Sequence, residues 1–122
     1  MNPGGGIPTI DVREAERRLR EDPGRPVLVD VREASEFVAV RAPGVLLLPT
    51  STFAARVDEL PADRPLMIVC HLGGRSAAVA GFLMRTGRTD VVNVAGGMDA
   101  WEAAGLPVRH GPPAPGEGSL QG

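Results

Sequence analysis

Aromatic residues are scarce in this chain, at 3% of 122 positions. A core must therefore be built from Val, Leu, Ala and Ile. The hydrophobic fraction of 43% is enough for that and excludes a disordered chain. The length suggests one domain around a single modest core. No apolar run approaches the ~20 residues that span a bilayer. The net charge of −2 leaves no electrostatic case for a nucleic acid or an anionic membrane as partner. There is one cysteine, Cys70, so an internal disulfide is excluded and a reducing, cytoplasmic setting is expected. The opening Met1-Asn2-Pro3-Gly4-Gly5-Gly6 lacks the basic and apolar regions of a secretory signal. One Cys with two His, His71 and the distant His110, is too small a set for a metal site. No cofactor is expected, and no internal repeat is found.

Composition shifts at both ends. Residues 1–8 and 111–122 are rich in Gly and Pro and read as flexible, which leaves a domain over 9–110. Inside it, strand-like and helix-like segments alternate. Asp11 with Glu14 forms a capping-box variant, and Val12, Ala15 and Leu19 share a helical face that Pro23-Gly24 ends. Val27-Leu28-Val29 reads as a buried strand ending at Asp30, and a brief helix follows over Glu33–Val38. A second strand runs from Val45 to Leu48. Phe53, Val57 and Leu60 keep helical spacing. Leu66–Val69 is a third strand, Arg75–Arg85 a helix with Gly87 past its end, Val91–Val94 a fourth strand, and Met98–Ala104 a last helix. Apolar runs without alternation suit strands covered on both faces. Their alternation with helices predicts an α/β fold: a doubly wound, mainly parallel sheet flanked by helices. Ligands of such sheets bind beyond the carboxyl ends of the strands. Cys70 lies at such an end.

The run Cys70-His71-Leu72-Gly73-Gly74-Arg75-Ser76 carries the chemistry. The two glycines let the chain curl tightly. A curled loop that opens a helix aims several N–H groups at one spot. The helix terminus adds about half a positive charge, Arg75 a full one with fixed donor geometry, and Ser76 a hydroxyl. Each favours thiolate over thiol, so a depressed Cys70 pKa is expected, and a thiolate is a nucleophile. A Cys after Ile-Val could instead be a small buried hydrophobe, but a core thiol has no use for a donor-lined loop.

This loop resembles the active loop, Cys-x-x-Gly-x-Arg-Ser, of the rhodanese-like (sulfurtransferase) domain family. Two further stretches resemble that family in the same order. Asp30-Val31-Arg32-Glu33 with Glu36-Phe37 is similar to its Asp-Val-Arg-x-x-x-Glu-Phe/Tyr segment, and Gly96-Gly97-Met98-Asp99-Ala100-Trp101 to its Gly-Gly-x-x-x-Trp segment. The resemblance spans roughly residues 9–109. It implies transfer of sulfane sulfur through a persulfide on Cys70, with a small-molecule donor such as thiosulfate or a persulfide and a thiol or cyanide acceptor. It also implies that the loop from His71 to Ser76 stabilises the persulfide while Arg75 steers the anionic donor. Related cell-cycle phosphatases carry a loop one residue longer, so the loop here resembles the sulfur-transferring form. The lone cysteine argues against an arsenate reductase that uses several of its own thiols. One stretch departs from the pattern: where the family commonly reads Gly-His-Ile-x-Gly-Ala, this chain has Val40-Arg41-Ala42-Pro43-Gly44-Val45. That departure admits an alternative from another class, a persulfide carrier that docks a sulfur-relay protein and turns over little alone.

Other residues point to support. Asp30 can cap backbone donors at a strand end, and Arg32 is placed to pair with Glu36; both are assigned to the scaffold ahead of catalysis. His71 either adds positive potential near the thiolate or contributes only its backbone N–H. Trp101 reads as core, and Gly96-Gly97 as the turn into the last helix. Arg13, Arg17, Arg18 and Arg20 alternate with Glu14, Glu16 and Glu21 and read as a solvated mixed face.

Overall fold

Short apolar runs bounded by Pro, Gly and Asp give short strands. They are Thr9–Ile10 (β1), Val27–Asp30 (β2), Leu46–Leu47 (β3), Leu66–Val69 (β4) and Val91–Val94 (β5). The helices are Val12–Glu21 (α1), Ala34–Ala39 (α2), Phe53–Arg56 (α3), Gly74–Arg85 (α4) and Gly97–Ala103 (α5). These come from a computed structural model that describes residues 6–120. All strand pairings are parallel, in the order β1-β5-β4-β2-β3.

The two-residue period of a strand sorts the core into two layers. Val27, Val29, Leu66, Ile68 and Cys70 face one way and pack with Phe53 of α3 and Val79, Ala80 and Leu83 of α4. Leu28, Met67 and Val69 face the other way and pack with Val12, Ala15, Phe37, Met98 and Trp101 of α1, α2 and α5. Helices cover both faces, so the sheet is doubly wound. The central strands are apolar on both sides and wholly buried. Each such Leu, Ile or Met contributes roughly 1.5–3 kcal/mol through burial. The chain leaves β2 toward β3 and leaves β4 toward β5, in opposite directions across the sheet. The carboxyl ends of β2 and β4 therefore flank the topological switch point, where such sheets bind ligands.

Several expectations change in detail. Asp11 caps α1 by accepting the Glu14 N–H at 2.8 Å. The segment after Ser51 is not one helix: 3-10 turns at Thr50–Thr52 and Val57–Glu59 bracket a single α turn. The strand expected over Val45–Leu48 narrows to β3. The sequence offers no apolar run for β1, which exists because the Asn93 and Ala95 N–H groups need acceptors and find the Pro8 and Ile10 carbonyls, both at 2.8 Å.

The ends are the larger correction. Ile7 packs against the core, so the expected flexible segment 1–8 does not extend that far. Residues 1–5 and 121–122, also expected to be flexible, lie outside the described residues. The tail from Gly111 is not loose through residue 120. Gly118 accepts the Leu47 N–H at 2.8 Å and so covers the edge of β3, and Leu120 packs on the core. Glu117 pairs with Arg41, whose guanidinium also donates to the Gly111 carbonyl at 2.7 Å. The cause is Arg41 itself. It is 2% exposed, and a buried guanidinium needs partners. The Val40–Val45 departure is thus where this chain anchors its own tail, and composition alone hides such a tie.

Candidate active site

Cys70 follows the last residue of β4, on the side that faces α4, and is 1% exposed. The chain then turns sharply at Gly73, whose φ of +113° is open to glycine and strained for other residues. That turn caps α4 and points its first N–H groups back at the sulfur. The Gly73 N–H donates to Cys70 Sγ at 3.0 Å, and the Ser76 hydroxyl lies 3.2 Å from it. Burial pushes the thiol up. The Ser76 hydroxyl and the N–H groups of Ser76, Gly73 and Leu72 outweigh burial and hold it below its ordinary value of 9.0. The loop is thus a cradle of donors around one sulfur atom.

The loop is held from behind by α5. The Met98 N–H donates to the Cys70 carbonyl at 2.8 Å and the Asp99 N–H to the His71 carbonyl at 3.0 Å. This close approach requires glycine at position 97, which has φ +57° and where an added Cβ would lie 2.6 Å from the His71 carbonyl carbon. The Gly-Gly turn after β5 is therefore part of the site's support.

Arg75, expected to steer an anionic donor, is held by a carboxylate that was not foreseen. Its two terminal nitrogens each donate to Glu36 at 2.8 Å, a fork on a carboxylate. Arg75 draws Glu36 down to about 2, and Glu36 also accepts the Glu33 N–H at 2.9 Å. This pair ties the start of α4 to α2. The Arg75 cation remains within electrostatic reach of Cys70. Arg32 does not form the expected side-chain pair with Glu36. It pairs with Asp30 at 2.7 Å, with side chains 2% and 0% exposed, and donates to the Val40 carbonyl at 2.6 Å. Asp30 and Arg32 form a buried clamp on the end of α2.

His71 and Leu72 are exposed at the loop tip, Leu72 by 66%. Gly74 is exposed, and Ser76 is buried. Trp101 is core, as its pattern suggested, and its Nε1–H donates to the Pro107 carbonyl at 2.8 Å. Arg17, Arg18 and Arg20 of α1 pair with its glutamates on the surface. Two partners of the loop were not singled out as site residues: Glu36 toward Arg75, and Asn93 of β5, whose Oδ1 accepts from Ser76 at 2.6 Å. A polar residue at a buried position of the run Val91-Val92-Asn93-Val94 was the signal for the second.

A groove of about 300 Å³ opens beside the loop between Thr50, Phe53, Arg75, Val79 and Phe82. A larger cavity, about 580 Å³, lies at the opposite ends of the strands near Pro26, Pro65 and Val91, and neither cysteine nor histidine lines it. The chemistry sits with the thiol, so volume is the poorer guide here. Among the described residues, no three His, Cys, Asp or Glu side chains gather as a metal site would need, and no helix is long and apolar enough to cross a membrane.

Comparison with known proteins agrees with this geometry. A sulfurtransferase from Allochromatium vinosum is 36% identical over 99 residues, covering 81% of this chain and 92% of the relative. A thiosulfate sulfurtransferase, GlpE, from Actinobacillus succinogenes is 37% identical over 83 residues, covering 68% and 75%. The crystal structure of a rhodanese-like domain protein from Staphylococcus aureus superposes with a TM-score of 0.71 at 34% identity, over 78% of this chain and 91% of that one. The family model for the rhodanese-like domain matches residues 11–104, and the chain belongs to that family.

Proposed function

We propose that the protein is a sulfurtransferase that moves sulfane sulfur from thiosulfate or a persulfide donor to a thiol or cyanide through a persulfide on Cys70. The observation that carries this reading is the donor cradle around a single, nearly buried sulfur. Two of the relatives above bear the name sulfurtransferase, which supports it.

The chemistry follows from the cradle. Thiolate Cys70 attacks the outer sulfur of thiosulfate. A new S–S bond forms, the old one breaks, and its electron pair leaves with sulfite. The anionic persulfide then lies against the N–H groups of Leu72, Gly73 and Ser76. An acceptor thiolate or cyanide attacks the outer sulfur next, and the pair of the breaking S–S bond returns to Cys70 as thiolate. Two half-reactions on one nucleophile give ping-pong kinetics. At 1% exposure, Cys70 is reached through a narrow opening, which suits the terminal sulfane sulfur of the donor. With no second cysteine in the chain, the persulfide must be relieved by an outside acceptor. The carrier reading draws on the Val40–Val45 departure and the lone domain; within that stretch, Arg41 holds the protein's own tail.

Intact-mass spectrometry after thiosulfate treatment, without reducing agent, tests the proposal. The mass is expected to rise by one sulfur atom, and Cys70→Ser should abolish the gain. A wild-type mass left unchanged by thiosulfate and by a small persulfide alike would refute it.

A further inference from the structure

Ser76 has one hydroxyl proton and three acceptors competing for it. Asn93 Oδ1 lies at 2.6 Å, Cys70 Sγ at 3.2 Å and the Gly73 carbonyl at 3.2 Å. Both Ser76 and Asn93 are buried, at 0% and 7% exposure, so water does not settle the competition. The Asn93 amide is oriented by its other end. Its Nδ2 faces the Gly73 carbonyl at 3.5 Å, and turning the amide over would set two oxygens against each other. Oδ1 therefore points at Ser76 as a fixed acceptor.

The charge on sulfur decides which acceptor wins. When Cys70 is a thiol or a neutral inner persulfide sulfur, it is a weak acceptor, and the hydroxyl stays on Oδ1 at the shorter distance. When Cys70 is a thiolate, a charge-assisted bond to sulfur is the stronger one. The hydroxyl then turns to Sγ and leaves Oδ1 without its donor in a buried place. No proton changes owner; one O–H bond rotates about the Ser76 side chain.

We propose that Asn93 is a positioning residue, holding the Ser76 hydroxyl as a two-position rotor that parks on Oδ1 when the sulfur is uncharged and turns to Cys70 when it is a thiolate. During sulfur transfer, a role that rests on the function proposed above, the rotor meets the charge that returns to Cys70 as the outer sulfur departs. Asn93 thereby opposes Ser76: it makes the thiolate harder to form than Ser76 alone would. The consequence is a sign that a packing role does not predict. Removing the acceptor should lower the thiol pKa, and only while Ser76 is present.

The test is the pH profile of Cys70 alkylation by iodoacetamide, which reads the thiol without any sulfur donor. Failure here is thus separable from failure of persulfide formation. Ser76→Ala should move the inflection up. Asn93→Val, which keeps a strand-forming side chain, should move it down by roughly half a unit to one unit, the scale of one hydrogen bond. Asn93→Asp keeps an acceptor and strengthens its hold, so it should move the inflection up. In a Ser76→Ala background, Asn93→Val should have no effect. Circular dichroism establishes that each variant is folded, and the Asp variant carries the test should the Val variant fail to fold. An upward or absent shift in folded Asn93→Val, a downward shift in Asn93→Asp, or the same Val shift without the Ser76 hydroxyl would overturn the proposal.

Discussion

Gly97 is where the last helix meets the reactive loop, and Gly97→Ala is the perturbation whose cost can be worked from the structure. Its φ of +57° charges an alanine about 1–2 kcal/mol for the left-handed conformation. The new methyl would also land on the Cys70 and His71 carbonyls, 2.5 Å from the His71 oxygen. Both are backbone atoms and cannot swing aside as a flexible side chain would. Overpacking of this kind costs about 1–3 kcal/mol. If α5 retreats instead, the Met98 and Asp99 hydrogen bonds to those carbonyls go, at about 1 kcal/mol each. Either route brings the total into the range of roughly 2–5 kcal/mol, a large part of the 5–15 typical of a domain. Gly24→Ala is the control. Its φ is +81° with nothing within 4 Å of an added Cβ, so it should cost only the conformational ~1–2 kcal/mol. Urea denaturation followed by far-UV circular dichroism compares the two. Equal losses within about 0.5 kcal/mol, the spread of neutral substitutions, would show that α5 does not brace the loop.

Further outcomes follow from the buried pairs and the depressed carboxylates. Asp30→Ala should destabilise by about 3–5 kcal/mol, because Arg32 would stay buried without its counter-charge; a midpoint near wild type in the same denaturation would contradict the clamp. Glu36, held down to about 2 by Arg75, and Glu117, held down to about 2 by Arg41, have an ordinary value of 4.5. Their stabilisation is fully present above pH 4.5 and is lost as pH falls through about 2. Glu36→Gln and Glu117→Gln should therefore each lower stability at pH 7 and flatten its decline in acid, as thermal midpoints across that range would show. Trp101→Phe should cost about 1 kcal/mol for the lost bond to the Pro107 carbonyl, besides its change in volume, and a melting curve unmoved by it would assign the tryptophan no polar role.

The sheet and its helices were legible because their signals are local. Val27–Val29 and Leu66–Val69 are apolar runs closed by turn residues, and Asp11 caps within its own turn. The cysteine loop was legible for the same reason, since Gly73-Gly74 and Ser76 act on a sulfur only a few residues away. What escaped the sequence joins distant segments. Arg75 and Glu36 meet across 39 positions, and Arg41 and Glu117 across 76. Many glutamates were available to each arginine, and no pattern in the chain chooses between them. Arg32 shows the hazard: spacing four residues apart suggested Glu36, whereas burial beside the end of β2 selected Asp30.

The amino-acid sequence by itself determined a parallel doubly wound sheet and put a lone thiol at its carboxyl edge, because hydrophobic period, caps and turn glycines act over a few residues. Only the tertiary structure decided what that thiol faces. The parallel pairing of β5 with β4 brings Asn93 beside Ser76, and the turn at Gly97 lays α5 against the loop carbonyls. Those contacts exist because buried donors and acceptors must be paired wherever packing leaves them, and the chain that supplies the partner can come from anywhere in the fold.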